Sequence, residues 1–465
     1  MGNIYCCSTY KRELNATTVN IDILEEMEKL KAGKSKIDSK KIIQTERELS
    51  KIKNIERKEY SGDIRLSLDK NKCQKIASIL PKREKSNLKS FKEIMKLKTD
   101  KLSEIEKAYI LFIWEGNNID YDDESYFAGK SVDCTPDGAF KNGKTVCSGY
   151  SRLYKDIAIY LDLNVECVSC YSKGANYEPG DTISKTNHEY NVIKLNNKWY
   201  PIDPTWGAGH LEETNYVRAF NDFYFLADPE LLIKSHFPEN EKWQLTKKKY
   251  TLEEFLKWPK ISSNFFKFDF FKFYPEEGLI NLNESNLLNF KIWAKNMNNI
   301  GSNCNIYLLE KNIYKQKLNC HMINYYKDRL EFKCIFNNKG KYKVILFGNN
   351  DGGQKSHNII EYSINVNNKA KIELFFPVIY SNIKEINIIE PLYNNIKSGE
   401  KIKFTIMSNL NSIIILDQNP IKLNKDKSGI FEKEITIKSK KGEIVSIAKQ
   451  TGQGNYSIFA SYKVK

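Results

Sequence analysis

Between Tyr150 and Asp203 the hydrophobic period changes from helical to alternating, and any fold of this chain must accommodate that change. Tyr150, Leu153, Tyr154, Ile157 and Leu161 recur at the spacing of an amphipathic helix, which predicts one buried face and places Cys147 at the helix N-terminus. Val165 to Tyr171, carrying Cys167 and Cys170, reads as a strand. His188 to Leu195 then alternates, and a second short strand, Lys198 to Asp203, follows Asn196-Asn197. Asparagine tolerates the positive φ of a two-residue hairpin loop, so Leu195 is expected to face Lys198 and Tyr190 to face Asp203. In that register His188 and Asp203 are diagonal neighbours on one face, roughly 7–8 Å apart at the backbone, and their side chains can meet. A slip of one residue would separate them.

Cysteine, histidine and aspartate in this arrangement form a chemical set. A helix N-terminus offers unpaired N–H groups and the positive end of the macrodipole, and both favour a thiolate at Cys147. A carboxylate bonded to one imidazole nitrogen fixes the tautomer and leaves the other nitrogen to take the cysteine proton. The chain has ten cysteines but five histidines, at 188, 210, 236, 321 and 357, so the partners rather than the thiol single out this stretch. The plainer alternatives are an inert cysteine at a helix start and a surface His/Asp pair.

A rival motif overlaps the same region. Gly138 to Thr145 fits G-x-x-x-x-G-K-T, the loop that cradles nucleotide phosphates. Such a loop joins a buried apolar strand to a helix, whereas Lys130 to Asp137 is polar and contains a proline, so the match is read as coincidence.

Val146-Cys147-Ser148-Gly149-Tyr150-Ser151, then Asn187-His188 with Asn191, then Trp199-Tyr200-Pro201-Ile202-Asp203-Pro204-Thr205-Trp206, resembles the transglutaminase-like superfamily, and within it the kyphoscoliosis-peptidase-like branch. Further matching blocks are Trp114 to Asp122, Tyr171 to Gly174, Phe223 to Glu230, Ser235 to Pro238 and Trp243 to Leu245. The resemblance implies a papain-like α/β (α+β) core in which Cys147 is the nucleophile, His188 the general base and acid, and Asp203 its orienter. It implies a weaker assignment of Trp114 to the oxyanion, against which a core tryptophan in a helix is the preferred reading. It also implies protein substrates, including cytoskeletal ones. The family's usual Ala-Trp after the histidine is Glu189-Tyr190 here, and Glu189 is expected to point away from the catalytic face. Hydrolysis by a cysteine peptidase, transamidation of glutamine, and a silent cytoskeletal or membrane-associated scaffold on the same fold all remain open on the sequence.

The chain starts Met-Gly-Asn-Ile-Tyr-Cys-Cys, which offers Gly2 for myristate and Cys6 and Cys7 for palmitate. No apolar run is long enough to span a membrane, so the expectation is a cytoplasmic protein tethered to the inner membrane surface. A net charge of +15, with lysines crowded between Lys82 and Lys101, agrees with an anionic lipid surface or acidic filaments, and no nucleic-acid motif accompanies it. No cofactor and no metal ligand set is indicated, since Cys167 and Cys170 have no second pair at zinc spacing.

Residues 1–60 read as a lipidated, mobile arm with one helical patch at Ile23, Met27 and Leu30, and residues 61–260 as the catalytic domain. Within the latter, Ser103 and Glu106 are spaced as the capping box of a helix over 102–115. Beyond Trp258 short apolar strands alternate with Asn/Gly turns, which predicts two immunoglobulin-like β-sandwiches at 261–369 and 370–465. Asn337–Gly340 and Asn349–Gly352 are expected to close antiparallel hairpins.

Overall fold

A computed structural model describes residues 64–465 apart from 213, 284–286, 299, 319, 351–354, 372 and 395. The expected acylation sites Gly2, Cys6 and Cys7, and the expected arm 1–60 with its helical patch, lie outside the described residues. The chain divides into a unit ending at Leu68, whose described part is a single helical turn at Ile64–Ser67, and a second unit, Asp69–Lys465, to which everything below refers.

Helix α1, Glu104–Asn118, starts at the expected capping box, with both reciprocal Ser103/Glu106 bonds made. It buries Ile105, Tyr109, Phe112, Ile113 and Trp114. Helix α2, Cys147–Tyr160, begins at Cys147 with no side chain capping its N-terminus, and Tyr150, Leu153, Tyr154 and Ile157 form its buried face. It packs on strands β1, Asn164–Ser172, and β2, His188–Leu195. With β3, Lys198–Ile202, and β4, His236–Pro238, these form an antiparallel sheet in the order β3-β2-β1-β4. Asn196 and Asn197 both take positive φ, 49° and 60°, and Leu195 lies opposite Lys198, which is the expected register.

The segment that matched a phosphate loop is built differently. Pro136–Asn142 is a helix closed by Gly143 at φ 67°, and the Lys144 ammonium lies 3.4 Å from the Asp122 carboxylate. A helix occupies the place where a phosphate loop would need free backbone N–H groups.

After the core come two sandwiches. One pairs 270–274, 287–294, 329–335 and 321–325 in one sheet against 279–282, 357–366, 340–350, 300–310 and 313–317 in the other, around Phe290, Phe332, Leu346 and Ile364. The next sets 378–379, 455–463, 444–452, 414–417 and 419–422 against 386–390, 401–408, 430–436 and 424–425. The turn at Asn337–Gly340 does not close a hairpin as expected: 329–335 and 340–350 lie in opposite sheets, so the chain crosses the sandwich there. Gly340, at φ 146°, permits the reversal, and the Asn337 side chain bonds both backbone groups of Leu374. A turn signal specifies a change of direction, not which sheet receives the next strand.

The connection from β1 to β2 is held from outside the core. Lys173 buries its side-chain nitrogen, whose pKa burial holds well below the ordinary lysine value, and donates from it to the carbonyls of Phe255 and Trp258, each at 2.6 Å, at the end of α3, Leu252–Lys257. Tyr177 donates to Leu256 O, and Lys260 to Ala175 O. From the first sandwich, Tyr314 Oη, Lys341 Nζ and Lys343 Nζ converge on the Glu178 carboxylate. Burial alone would raise the pKa of Glu178, but the bonds to Lys343 and Lys341 outweigh it and lower it to about 2. Glu178→Gln is therefore expected to cost about 1–3 kcal/mol near neutral pH. A depressed carboxylate pKa stabilises above its unfolded value, so the deficit should shrink as pH falls from about 4.3 towards that of the folded group. Urea unfolding of both proteins across that range checks this.

Candidate active site

At one end of the sheet three strands deliver ionisable groups to a single point. His188 opens β2, Asp203 follows the last residue of β3, and His236 opens β4. Asp203 also caps the short helix Pro204–Ala208, its Oδ1 accepting the Trp206 N–H at 2.9 Å. Its Oδ2 accepts from His188 Nε2 at 2.8 Å and from His236 Nε2 at 2.9 Å. Asp203 and His236 are 1% exposed and His188 8%. With Nε2 committed to the carboxylate, His188 has Nδ1 left for a second partner, and the Cys147 thiol is close enough to the ring to raise its pKa. Cys147 is partly exposed.

The backbone is fastened so that these groups stay in place. Asn187 bonds both the N–H and the carbonyl of Ser172, which sets the start of β2 against β1. Asn191 donates to Ser151 O at 2.9 Å and so ties the strand of His188 to the helix of Cys147. Glu189 points to that helix instead of the site, as expected, accepting from the Ser151 hydroxyl and lying 3.8 Å from Arg152 Nε. Tyr190 is buried and packs edge-on to the His236 ring.

Burial lowers the pKa of an imidazole, but at His188 the Asp203 charge, then its hydrogen bond, then the Cys147 thiol outweigh burial and push it up to about 10. Burial would raise the Asp203 pKa, and the two imidazoles hold it well below the usual carboxylate range. At His236 burial wins and the pKa falls, so this ring is neutral. Glu115 on α1 is fully buried; neither carboxylate oxygen has a hydrogen-bond partner among the described residues, and burial, then Asp203, raises its pKa. It is neutral and adds no charge to the site.

Trp114 lies in the core. It is 1% exposed, stacks on Phe140 and Phe91, and spends its one N–H on Pro81 O at 3.0 Å. The N–H groups at the very start of α2 are ones that a helix cannot satisfy internally, although that of Gly149 donates to Val146 O at 2.9 Å. Tyr121 stands near them, paired with Thr145 across a parallel bridge. Burial, then Cys147, raises its phenol pKa, so it keeps its proton beside the thiol.

Sequence reasoning assigned no role to His236 or Tyr121. Ser235-His236-Phe237-Pro238 carried a signal, since a histidine opening an apolar strand must find polar partners when buried. Tyr121 offered none, because its proximity depends on a two-residue parallel pairing. The donor atoms of His188, Asp203 and His236 lie within 4.8 Å of one another, which gives the trio the composition of a metal site. Their 2.8 and 2.9 Å contacts to one oxygen are those of a hydrogen-bonded carboxylate.

Comparison with known proteins places this geometry. Residues 91–204 match the transglutaminase-like superfamily, and residues 252–377 the KY-like, immunoglobulin-like domain. The chain is 31% identical over 181 residues to kyphoscoliosis peptidase of Mus musculus, covering 38% of this chain and 27% of that protein. It is 30% identical over 184 residues to Hillarin of Drosophila melanogaster, covering 36% and 22%. To the Lim and transglutaminase domain protein ltd-1 of Caenorhabditis elegans it is 28% identical over 148 residues, covering 29% and 20%. The chain thus spans about a quarter or less of the length of these curated relatives.

A raised histidine pKa stabilises the folded state fully below the unfolded value, about 6.5, and the contribution is lost as pH rises through the folded value. The urea midpoint of the protein is therefore expected to fall between about pH 7 and about pH 10. His188→Gln should flatten that fall.

Proposed function

We propose that this chain, a transglutaminase-like domain followed by immunoglobulin-like sandwiches, is a thiol enzyme of the cysteine-peptidase type that transfers an acyl group from a protein carbonyl through Cys147. The observation that carries the reading is the set of a partly exposed thiol at an uncapped helix N-terminus, an imidazole whose pKa that thiol helps to raise, and a buried carboxylate 2.8 Å from Nε2 of that ring.

In the proposed reaction the Cys147 thiolate attacks the carbonyl carbon, and the carbonyl π electrons move to oxygen. The resulting oxyanion is met by the unpaired N–H groups at the start of α2. His188, protonated at Nδ1, gives that proton to the departing amine as the C–N bond breaks, leaving a thioester on Cys147. Water then loses a proton to Nδ1, attacks the thioester and releases the acid and the thiolate. Asp203 holds the ring throughout and compensates its charge. An amine in place of water gives transamidation by the same steps. A non-catalytic adaptor would need only the outer surface of this fold, and it leaves unexplained a buried carboxylate shared by two imidazoles beside a thiol.

The proposal extends to place and partner. The likeness to a protein named kyphoscoliosis peptidase supports protein substrates, and we assign these to the cytoskeleton. Gly2, Cys6 and Cys7 supply a proposed double acyl anchor to the cytoplasmic face of a membrane. If so, Gly2→Ala releases the protein from the membrane fraction of cells; retention there would refute the anchor.

The enzyme reading is tested by the pH dependence of Cys147 alkylation. Rapid labelling near neutral pH is expected, falling by about 10²-fold or more in His188→Ala and less in Asp203→Ala. Slow labelling that neither substitution changes would refute it.

A further inference from the structure

We infer that His236 is a positioning residue for the proposed acyl transfer: its Nε2–H holds the Asp203 carboxylate in place behind His188. The inference rests on the acyl-transfer reading for its function, but its geometry stands independently.

Asp203 is a buried carboxylate with three N–H donors. Oδ1 takes the Trp206 N–H, and Oδ2 is shared by His188 and His236. A buried carboxylate short of donors tends to neutralise itself by taking a proton. The proton within reach here is the one on His188 Nε2, at 2.8 Å. Were Asp203 to take it, His188 would lose both its charge and its orientation, and the Cys147 thiolate its counter-ion. The second donor on Oδ2 opposes that transfer.

His236 is built to be that donor. An ionised carboxylate only accepts, so Nε2 at 2.9 Å from Asp203 Oδ2 carries a hydrogen, and in the neutral ring Nδ1 is then the acceptor for the Ser235 hydroxyl at 2.8 Å. A neutral ring that accepts at Nδ1 carries its hydrogen on Nε2, facing Asp203. The ring is clamped edge-on to Trp206, with centroids 4.3 Å apart, and flanked by Tyr190 and Tyr224. Among the described residues Glu115, Tyr121, Cys170, Tyr190 and Tyr224 also feel the Asp203 charge, and burial raises the pKa of each, which keeps their protons on. Among the described residues only the two imidazoles donate side-chain bonds to this carboxylate.

The position of His236 is set from the far side of the sheet. It pairs with Ser172 in the β1–β4 register, and Lys173 N–H donates to Ser235 O at 3.0 Å. Lys173 is the residue whose side-chain nitrogen is held by Phe255 O and Trp258 O.

The test uses the full chain with His236→Leu, His236→Gln and Ser235→Ala, each checked for folding by its thermal midpoint. Two properties are read: the pH profile of Cys147 alkylation and the ring nitrogen resonances of His188. Leucine removes the donor, glutamine keeps an N–H near the Nε2 position, and Ser235→Ala frees the His236 tautomer. Folded His236→Leu should label about tenfold more slowly near neutral pH, with the acid limb moved up by about one pH unit and the His188 resonances moved towards the neutral ring. His236→Gln should recover most of that loss, and Ser235→Ala should shift both properties in the direction of leucine by a smaller amount. A folded leucine variant with the parent's profile and resonances would overturn the inference, as would a glutamine variant no better than leucine. If leucine does not fold, a Ser235→Ala protein identical to the parent in both properties overturns it. Slow, pH-independent labelling of the parent sinks the acyl-transfer reading, while the resonances still decide the positioning role.

Discussion

One buried carboxylate organises the centre of this molecule. Asp203 ends β3, caps the helix that follows, and receives hydrogen bonds from residues that open β2 and β4. Burying a carboxylate costs several kcal/mol unless donors replace the lost water, and three N–H groups do so here. Because two of those donors, His188 and His236, come from separate strands, the carboxylate is fully bonded only when the sheet is correctly registered. Register, charge and the orientation of His188 are therefore one condition, and Cys147 meets that imidazole because Asn191 ties its helix to the same strand.

Local chemistry in the chain was enough to predict the parts of this arrangement that depend on neighbours in sequence. The Asn196-Asn197 loop fixed a two-residue hairpin, and the hairpin fixed the meeting of His188 with Asp203. The helical period after Cys147 located its uncapped N-terminus, and Ser103 with Glu106 located α1. What could not be read depends on contacts between distant segments. His236 reaches Asp203 only because β4 pairs with β1 on the far side of the sheet. Trp114 looks from its position upstream like a group for the oxyanion, but its N–H goes to Pro81, a partner no spacing rule would name. The turn at Asn337–Gly340 announced a reversal that crosses between sheets.

The sandwiches are tied to the core at the connection that feeds the site. Residues 173–178 leave β1 and lead towards His188, and they are held by carbonyls of α3, by Lys260 and by three side chains of the first sandwich. Ordering a connection of this length costs conformational entropy at each residue, and those bonds are what offset it. Lys173 then links this clasp to Ser235, next to the second imidazole. In physical terms, the first sandwich contributes to holding the site although none of its described residues enters it.

The central proposal is that Cys147 and His188 work as a thiolate–imidazolium pair. The most direct measurement is the ultraviolet thiolate absorbance as a function of pH, taken as the difference between the protein and Cys147→Ser. The account predicts a thiolate signal already present at neutral pH and lost only on acidification, and a signal that moves to alkaline pH in His188→Ala. A signal that appears only near the ordinary thiol range, about pH 8.5, and is indifferent to His188 would contradict it.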